Sequence, residues 1–194
     1  RNMYKKILNE ILLSEIPSEG IYKLMEDGEM NNIIPELLRL KGFDQRTPYH
    51  DKDVLEHTLA VVDGIKPKLN LRMAALLHDI SKPDCFTVDE KGKGHFHGHH
   101  ISSAQKSEEI LQRLGYEEEF IVDVKILIRY HYIKDIANVI KEKGIKKFVE
   151  AVGAERLDDM FELIRADMEG KASANYDIIE KLRAMSEKYM ENRS

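Results

Sequence analysis

Apolar side chains return every three or four positions through most of this chain of 194 residues, and its five prolines and eleven glycines fall mostly between the periodic segments. That period is the helical one, and a chain of this size can enclose one substantial core. The pattern predicts an all-α bundle with helices at about 3–14, 18–27, 35–41, 52–65, 71–80, 99–114, 117–131, 133–142, 145–152, 155–169 and 174–191. Gly28, Gly42 and Gly115 stand where helix-ending residues belong. One stretch breaks the period. Pro83 stops a helix, and Phe86, Thr87 and Val88 face His95 and Phe96 across the polar tip Asp89 to Gly94, which predicts a short loop or β-hairpin flap at about 83–98.

Several function classes are disfavoured at once. Apolar runs such as Met73 to Leu77 fall far short of the roughly 20 residues that a helical membrane crossing needs, and the N-terminal residues lack a signal-peptide pattern. The expectation is a soluble, cytoplasmic protein without a membrane partner. The single cysteine, Cys85, cannot form an internal disulfide or a multi-cysteine zinc cluster. Thirty-five acidic against thirty basic residues give a net charge of −5, the wrong sign for a protein that grips phosphate backbones over its whole surface. Lys141, Lys143, Lys146 and Lys147 form a basic cluster that can touch an RNA terminus, although solvated helix faces commonly look the same. Arg1 and Asn2 precede Met3, so the chain carries an N-terminal remnant or is a piece of a longer protein.

Ionisable residues on helix faces that ought to be apolar carry the chemistry, because a buried charge is costly unless it is paired or bound to metal. His57 shares a line with Val54 and Val61. His78 continues the line of Leu71, Ala74 and Ala75, and Asp79 follows it. Asp167 lies three residues beyond Ile164, on the stripe of Leu157, Met160, Phe161 and Met168. His131 ends the stripe of Phe120, Val124, Leu127 and Ile128. One inward histidine is adequately explained as a hydrogen-bonded core residue. Together, however, inward imidazoles and carboxylates make a mixed ligand set suited to Mn, Fe, Co, Ni or Zn, with Mg less comfortable.

Of the chain's eight histidines, four cluster at His95, His97, His99 and His100. His95 and His97 alternate along the flap and are accounted for as its surface. His99 and His100 open the next helix, where His99 lines up with Ser103 and Ile110 and His100 with Ala104, Ser107 and Leu111. Periodicity does not choose between them.

The series His57, His78 with Asp79, and Asp167 resembles the H...HD...D signature of HD-superfamily metal-dependent phosphohydrolases. HDISKP resembles the common HDIGKP, with Ser81 in place of the glycine and Lys82 on the lysine that often follows. More narrowly, residues 3 to about 170 resemble the C-terminal HD region of bacterial tRNA nucleotidyltransferases (CCA-adding enzymes and poly(A) polymerases) through LSEIPSEGIYKLMEDGEM, IIPELLRLKGFDQ, YHDKDVLEHTLAVVD, LRMAALLHDISKP, HFHGHHISSA and LIRADMEG. The nucleotidyltransferase head has no counterpart in these residues. Asp51, Lys52 and Asp53 spell D-x-D, but they precede a helix, where Asp53 or Asp51 reads as its cap. Nucleotide addition by this chain alone is therefore not expected.

The resemblance implies an HD-domain helical bundle over residues 46–170, an N-terminal helical apron at 1–45 and a C-terminal helix at 171–194 packed on the same domain. It implies one or two divalent ions held by His57, His78, Asp79 and Asp167, with His99 and His131 filling the added places of members that hold two. It also implies hydrolysis of nucleotides or small phosphate esters, 2′,3′-cyclic phosphates and 2′-nucleotides included, with an RNA 3′ end as a further partner. Asp79 and Lys82 are the candidate catalytic groups, Lys82 being held extended before Pro83 as a phosphate clamp. His100 and Arg129 complete the candidate substrate-binding set with Lys82, although the helical position of Arg129 points more toward solvent. The rival expectation is a non-catalytic module that binds an RNA end or a partner protein and uses the same polar residues only to hold helices together.

Overall fold

A computed structural model describes residues 2–47, 52–141, 144–171 and 175–193. Twelve α-helices, two short 3-10 segments and a two-stranded hairpin make up the regular structure among the described residues. No described helix is long and apolar enough to cross a membrane.

The bundle is organised around α4 (Val54–Gly64), α5 (Leu69–Leu77), α7 (His99–Leu114), α8 (Glu118–Tyr130) and α11 (Leu157–Glu169). Asp53 starts α4 with a capping box: its carboxylate accepts from the Glu56 amide at 2.7 Å, and Glu56 accepts in return from the Asp53 amide at 3.1 Å. Asp51, the other expected cap, lies outside the described residues. Helix α5 is apolar nearly all round, and such a helix belongs in the middle of a bundle. Leu71, Met73, Ala74, Ala75, Leu76 and Leu77 are all fully buried, with α4, α8 and α11 packed around them. Its one charged residue is buried too. Arg72 donates from Nη1 to the carbonyls of Leu12 and Ser14, both at 2.7 Å, and so caps the free C-terminal end of α1 (Asn2–Leu12).

The N-terminal region continues through α2 (Pro17–Glu26), α3 (Met30–Ile33) and a 3-10 segment, Pro35–Leu40. Its Leu8, Leu12, Ile21, Ile33 and Leu37 join the same hydrophobic core as α5. The sequence pattern anticipates neither α3 nor the one-turn α6 (Lys82–Cys85), because four residues are too few to display a helical period. The hairpin pairs β1 (Phe86–Val88) with β2 (Gly94–Phe96) in the register Phe86 with Phe96 and Thr87 with His95. It is pinned at its base. Phe43 meets Phe86 edge-on at 5.1 Å, the Gly94 amide donates to the Arg46 carbonyl at 2.8 Å, and a Cβ on Gly94 would come within 2.3 Å of the Gln45 carbonyl oxygen. Only glycine allows that approach.

After α8 the chain runs through α9 (Ile133–Lys141), α10 (Ile145–Val152) and α11, and α12 (Tyr176–Arg193) covers α10 and α11 with Ile179 and Leu182. Of the basic cluster, Lys146 and Lys147 stand exposed on α10, whereas Lys143 and the side chain of Lys141 lie outside the described residues.

Candidate metal centre

Two helices stop just short of a histidine. The periodicity predicts helices through positions 78 and 131, but α5 ends at Leu77 and α8 at Tyr130, so His78 and His131 are the residues that terminate them. Each ring turns back on its own helix end. Nδ1 of His78 lies 2.6 Å from the Ala75 carbonyl oxygen, and Nδ1 of His131 lies 2.6 Å from that of Ile128. Carbonyls in the last turn lack amide partners, which is why an imidazole N–H is accepted there.

The same device recurs twice. Nδ1 of His99, at the start of α7, lies 2.9 Å from the Phe96 carbonyl oxygen, and Nδ1 of His57, on α4, lies 3.1 Å from that of Gly170. A carbonyl oxygen can only accept, so each Nδ1 carries the hydrogen and each neutral ring presents a bare lone pair at Nε2. All four lone pairs face the same two carboxylates. Nε2 of His57 is 2.8 Å from Asp167 Oδ1 and 3.9 Å from Asp79 Oδ2. Nε2 of His78 is 3.2 Å from each of those oxygens, that of His99 is 3.3 Å from Asp79 Oδ1, and that of His131 is 3.9 Å from Asp167 Oδ2.

Lone pairs aimed at carboxylate oxygens repel unless a cation or a proton lies between them. Among the described residues, His78 Nε2 has no hydrogen-bond partner although it is completely buried. Burial opposes a charge on this ring, yet facing Asp79 and Asp167 pushes its pKa up to about 10, so the pocket draws positive charge onto Nε2. Burial drives His131 the other way, down to about 3, and keeps it a neutral donor. Asp79 stays ionised against its burial because His78 and Lys82 hold it well below the usual carboxylate range; Lys171, His57 and His78 do the same for Asp167. His57, His78 and Asp79 have ligand atoms within 4.8 Å of one another, as do His78, His131 and Asp167. These donors fit a borderline divalent ion, and the carbonyl at each Nδ1 fixes the tautomer that a ligating histidine needs.

A cavity of about 320 Å³ opens on the cluster. Asp79, Asp167, His99 and His131 reach it, with Lys82, Lys171, Tyr132 and the flap residues Phe96 and His97 around them. Lys82 does not sit in the extended segment expected of it. It is the first residue of α6, and its buried ammonium donates to Gln45 Oε1 at 2.5 Å and lies 3.3 Å from Asp79 Oδ2. Ser81, at φ −97°, begins that turn without strain, and its amide donates to Ser103 Oγ at 3.0 Å, so glycine is not required there. The structure does not bring His100 or Arg129 to the cavity. His100 Nε2 pairs with Asp135 Oδ2 at 2.9 Å under the stacked ring of Tyr132, and the Arg129 guanidinium lies over Tyr130. Periodicity missed Tyr132, Gly170 and Lys171; the one available signal was that Lys171 falls one helical turn after Asp167.

The family model of the HD domain matches residues 54–190, which takes in every member of this cluster. The chain belongs to the HD domain family. Similar proteins include the A-adding tRNA nucleotidyltransferase of Deinococcus radiodurans, 30% identical over 84% of this chain and 38% of that protein. The multifunctional CCA proteins of Aromatoleum aromaticum and Neisseria gonorrhoeae are 31% and 27% identical, over 79% and 85% of this chain and 38% and 42% of theirs. The chain thus spans about two fifths of the length of these relatives.

Gly170 gives the HD cluster a sharp test. A Cβ there would lie 3.0 Å from His57 Nδ1 and 3.1 Å from Cε1, tight enough to move the ring off the carbonyl that orients it. Gly170→Ala is expected to weaken zinc affinity by about 10- to 100-fold while the fold persists, the range found when a histidine's outer partner is lost. Competition with a chromogenic chelator measures the affinity, and an unchanged value shows that the Gly170 contact does not set the His57 ring.

Proposed function

We propose that this HD domain is a metal-dependent phosphohydrolase acting on nucleotides or small phosphate esters, 2′,3′-cyclic phosphates among them. The observation that carries the reading is the convergence of four carbonyl-anchored histidines on two ionised carboxylates at the floor of an accessible cavity. In this reading His57, His78, Asp79 and Asp167 hold the first ion, and His99 and His131 complete a site for a second. A divalent ion in such a site supplies a nucleophile from water at neutral pH and neutralises charge on the phosphoryl oxygens.

This chain's residues supply the rest. Asp79 turns Oδ2 toward His78 and Oδ1 toward His99, so one carboxylate serves both halves of the cluster. Lys82, on the cavity wall, donates to Gln45 and lies 3.3 Å from Asp79 Oδ2, and so holds that carboxylate in place. Water adds to phosphorus, the ester P–O bond breaks, and the departing oxygen takes a proton. The relatives' names refer to tRNA and CCA, which favours nucleotides and an RNA 3′ end over other phosphate esters.

The test is turnover of phenyl phosphomonoesters, phenyl phosphodiesters, 2′-AMP and 2′,3′-cyclic AMP by the full chain with Mn, Ni or Co. Metal-dependent hydrolysis of at least one class is expected. No turnover with any metal, together with tight binding of an RNA 3′ end, overturns the reading in favour of a binding module.

A further inference from the structure

Each buried carboxylate of the cluster has its own lysine, and the two lysines are engaged differently. Lys82 directs its ammonium at two protein oxygens, Gln45 Oε1 at 2.5 Å and Asp79 Oδ2 at 3.3 Å, and lies 5.0 Å from the centre of the Phe96 ring. With three N–H groups in all, it has little left to offer a ligand. Lys171 has one ion-pair partner among the described residues, Asp167 Oδ2 at 3.4 Å, and its side chain is 18% exposed against 5% for Lys82. Both line the same cavity.

The position of Lys171 is built rather than incidental. The Gly170 amide donates to the Ala166 carbonyl and the Lys171 amide to that of Met168, a turn that closes α11 and brings Lys171 back over Asp167. The same turn presents the Gly170 carbonyl to His57, so one local structure sets a cluster histidine and this ammonium together. As a mere counter-ion Lys171 would be redundant once Asp167 shared its charge with a divalent ion. It would then be a largely desolvated cation seeking an anion, and the cavity offers it an entering one.

We propose that Lys171 is the principal phosphate-contacting lysine of the site, binding a phosphoryl oxygen of the substrate while Lys82 chiefly holds Asp79. The proposal rests on the phosphohydrolase reading for its substrate class but is tested without turnover. Inorganic phosphate is titrated calorimetrically into the zinc-loaded full chain and its Lys171→Met, Lys171→Gln and Lys171→Arg variants, with zinc content measured in parallel. Lys171→Met is expected to weaken phosphate binding about tenfold or more with zinc content unchanged, and Lys171→Arg to restore most of it. Lys171→Gln serves if the methionine variant fails to fold.

Unaltered phosphate affinity in Lys171→Met or Lys171→Gln, absence of phosphate binding by the parent, or loss of phosphate binding only in step with zinc overturns the proposal; the last result makes Lys171 a counter-ion of Asp167. Phosphate binding that depends on Lys171 without hydrolysis of any ester leaves the proposal standing and removes the phosphohydrolase reading. Hydrolysis by a parent whose phosphate affinity ignores Lys171 does the reverse.

Discussion

Asp79→Asn is expected to lower kcat/KM for the best phosphate ester by at least about 10³-fold, equivalent to roughly 4 kcal/mol of transition-state stabilisation. The asparagine keeps the size of the side chain but removes the charge that faces His78, His57, His99 and Lys82 together. Asp79 Oδ2 faces His57, His78 and Lys82 and its Oδ1 faces His99, so loss of the carboxylate disables both halves at once. Steady-state kinetics on protein of measured metal content checks this. Full activity in a folded Asp79→Asn variant would remove Asp79 from the mechanism. Both variants leave the buried Lys82 ammonium without its carboxylate, a change that costs about 3–5 kcal/mol when a buried pair is broken, and Asp79→Ala is the harsher because it also removes the polar oxygen that Asn keeps.

Metal loading carries the second large effect. The folded state gathers four Nε2 atoms around two carboxylates inside a protein core, so it gains directly from a divalent ion that binds there. At a free zinc concentration about 100-fold above Kd the gain is about 2.7 kcal/mol. For a chain of 194 residues that is about 5–10 °C in Tm. Differential scanning calorimetry should show this rise on adding zinc and its reversal by EDTA. Asp167→Asn should abolish most of the metal-dependent rise, and its Tm in EDTA should fall below that of the parent, since the largely buried Lys171 and the buried His78 lose the carboxylate that they face. Identical Tm values in zinc and in EDTA for the parent would mean that the cluster holds no ion in solution.

Much of the candidate site is legible before folding, and the reason is burial. His57, Asp167 and His131 each fall on a stripe whose other members are apolar, and all three are buried. The hairpin was equally accessible, because Pro83, the polar tip and the aromatic flanks act locally. What periodicity did not resolve was direction at close range. His99 and His100 are 4% and 6% exposed, so burial does not separate them. Their ring orientations do: His99 is turned toward Asp79 by its bond to the Phe96 carbonyl, and His100 toward Asp135.

The amino-acid order by itself determined which faces turn inward, because the free energy of burying apolar side chains is a property of each helix alone. It therefore specified an all-helical bundle with ionisable groups committed to its interior. Tertiary structure decided how those groups meet. The two helices that stop at His78 and His131, the glycine that lets His57 reach a carbonyl 113 positions away, and the turn that returns Lys171 to Asp167 all depend on partners distant in the chain or on helix ends. A helical period records the face on which a side chain lies but not the atom it will encounter there.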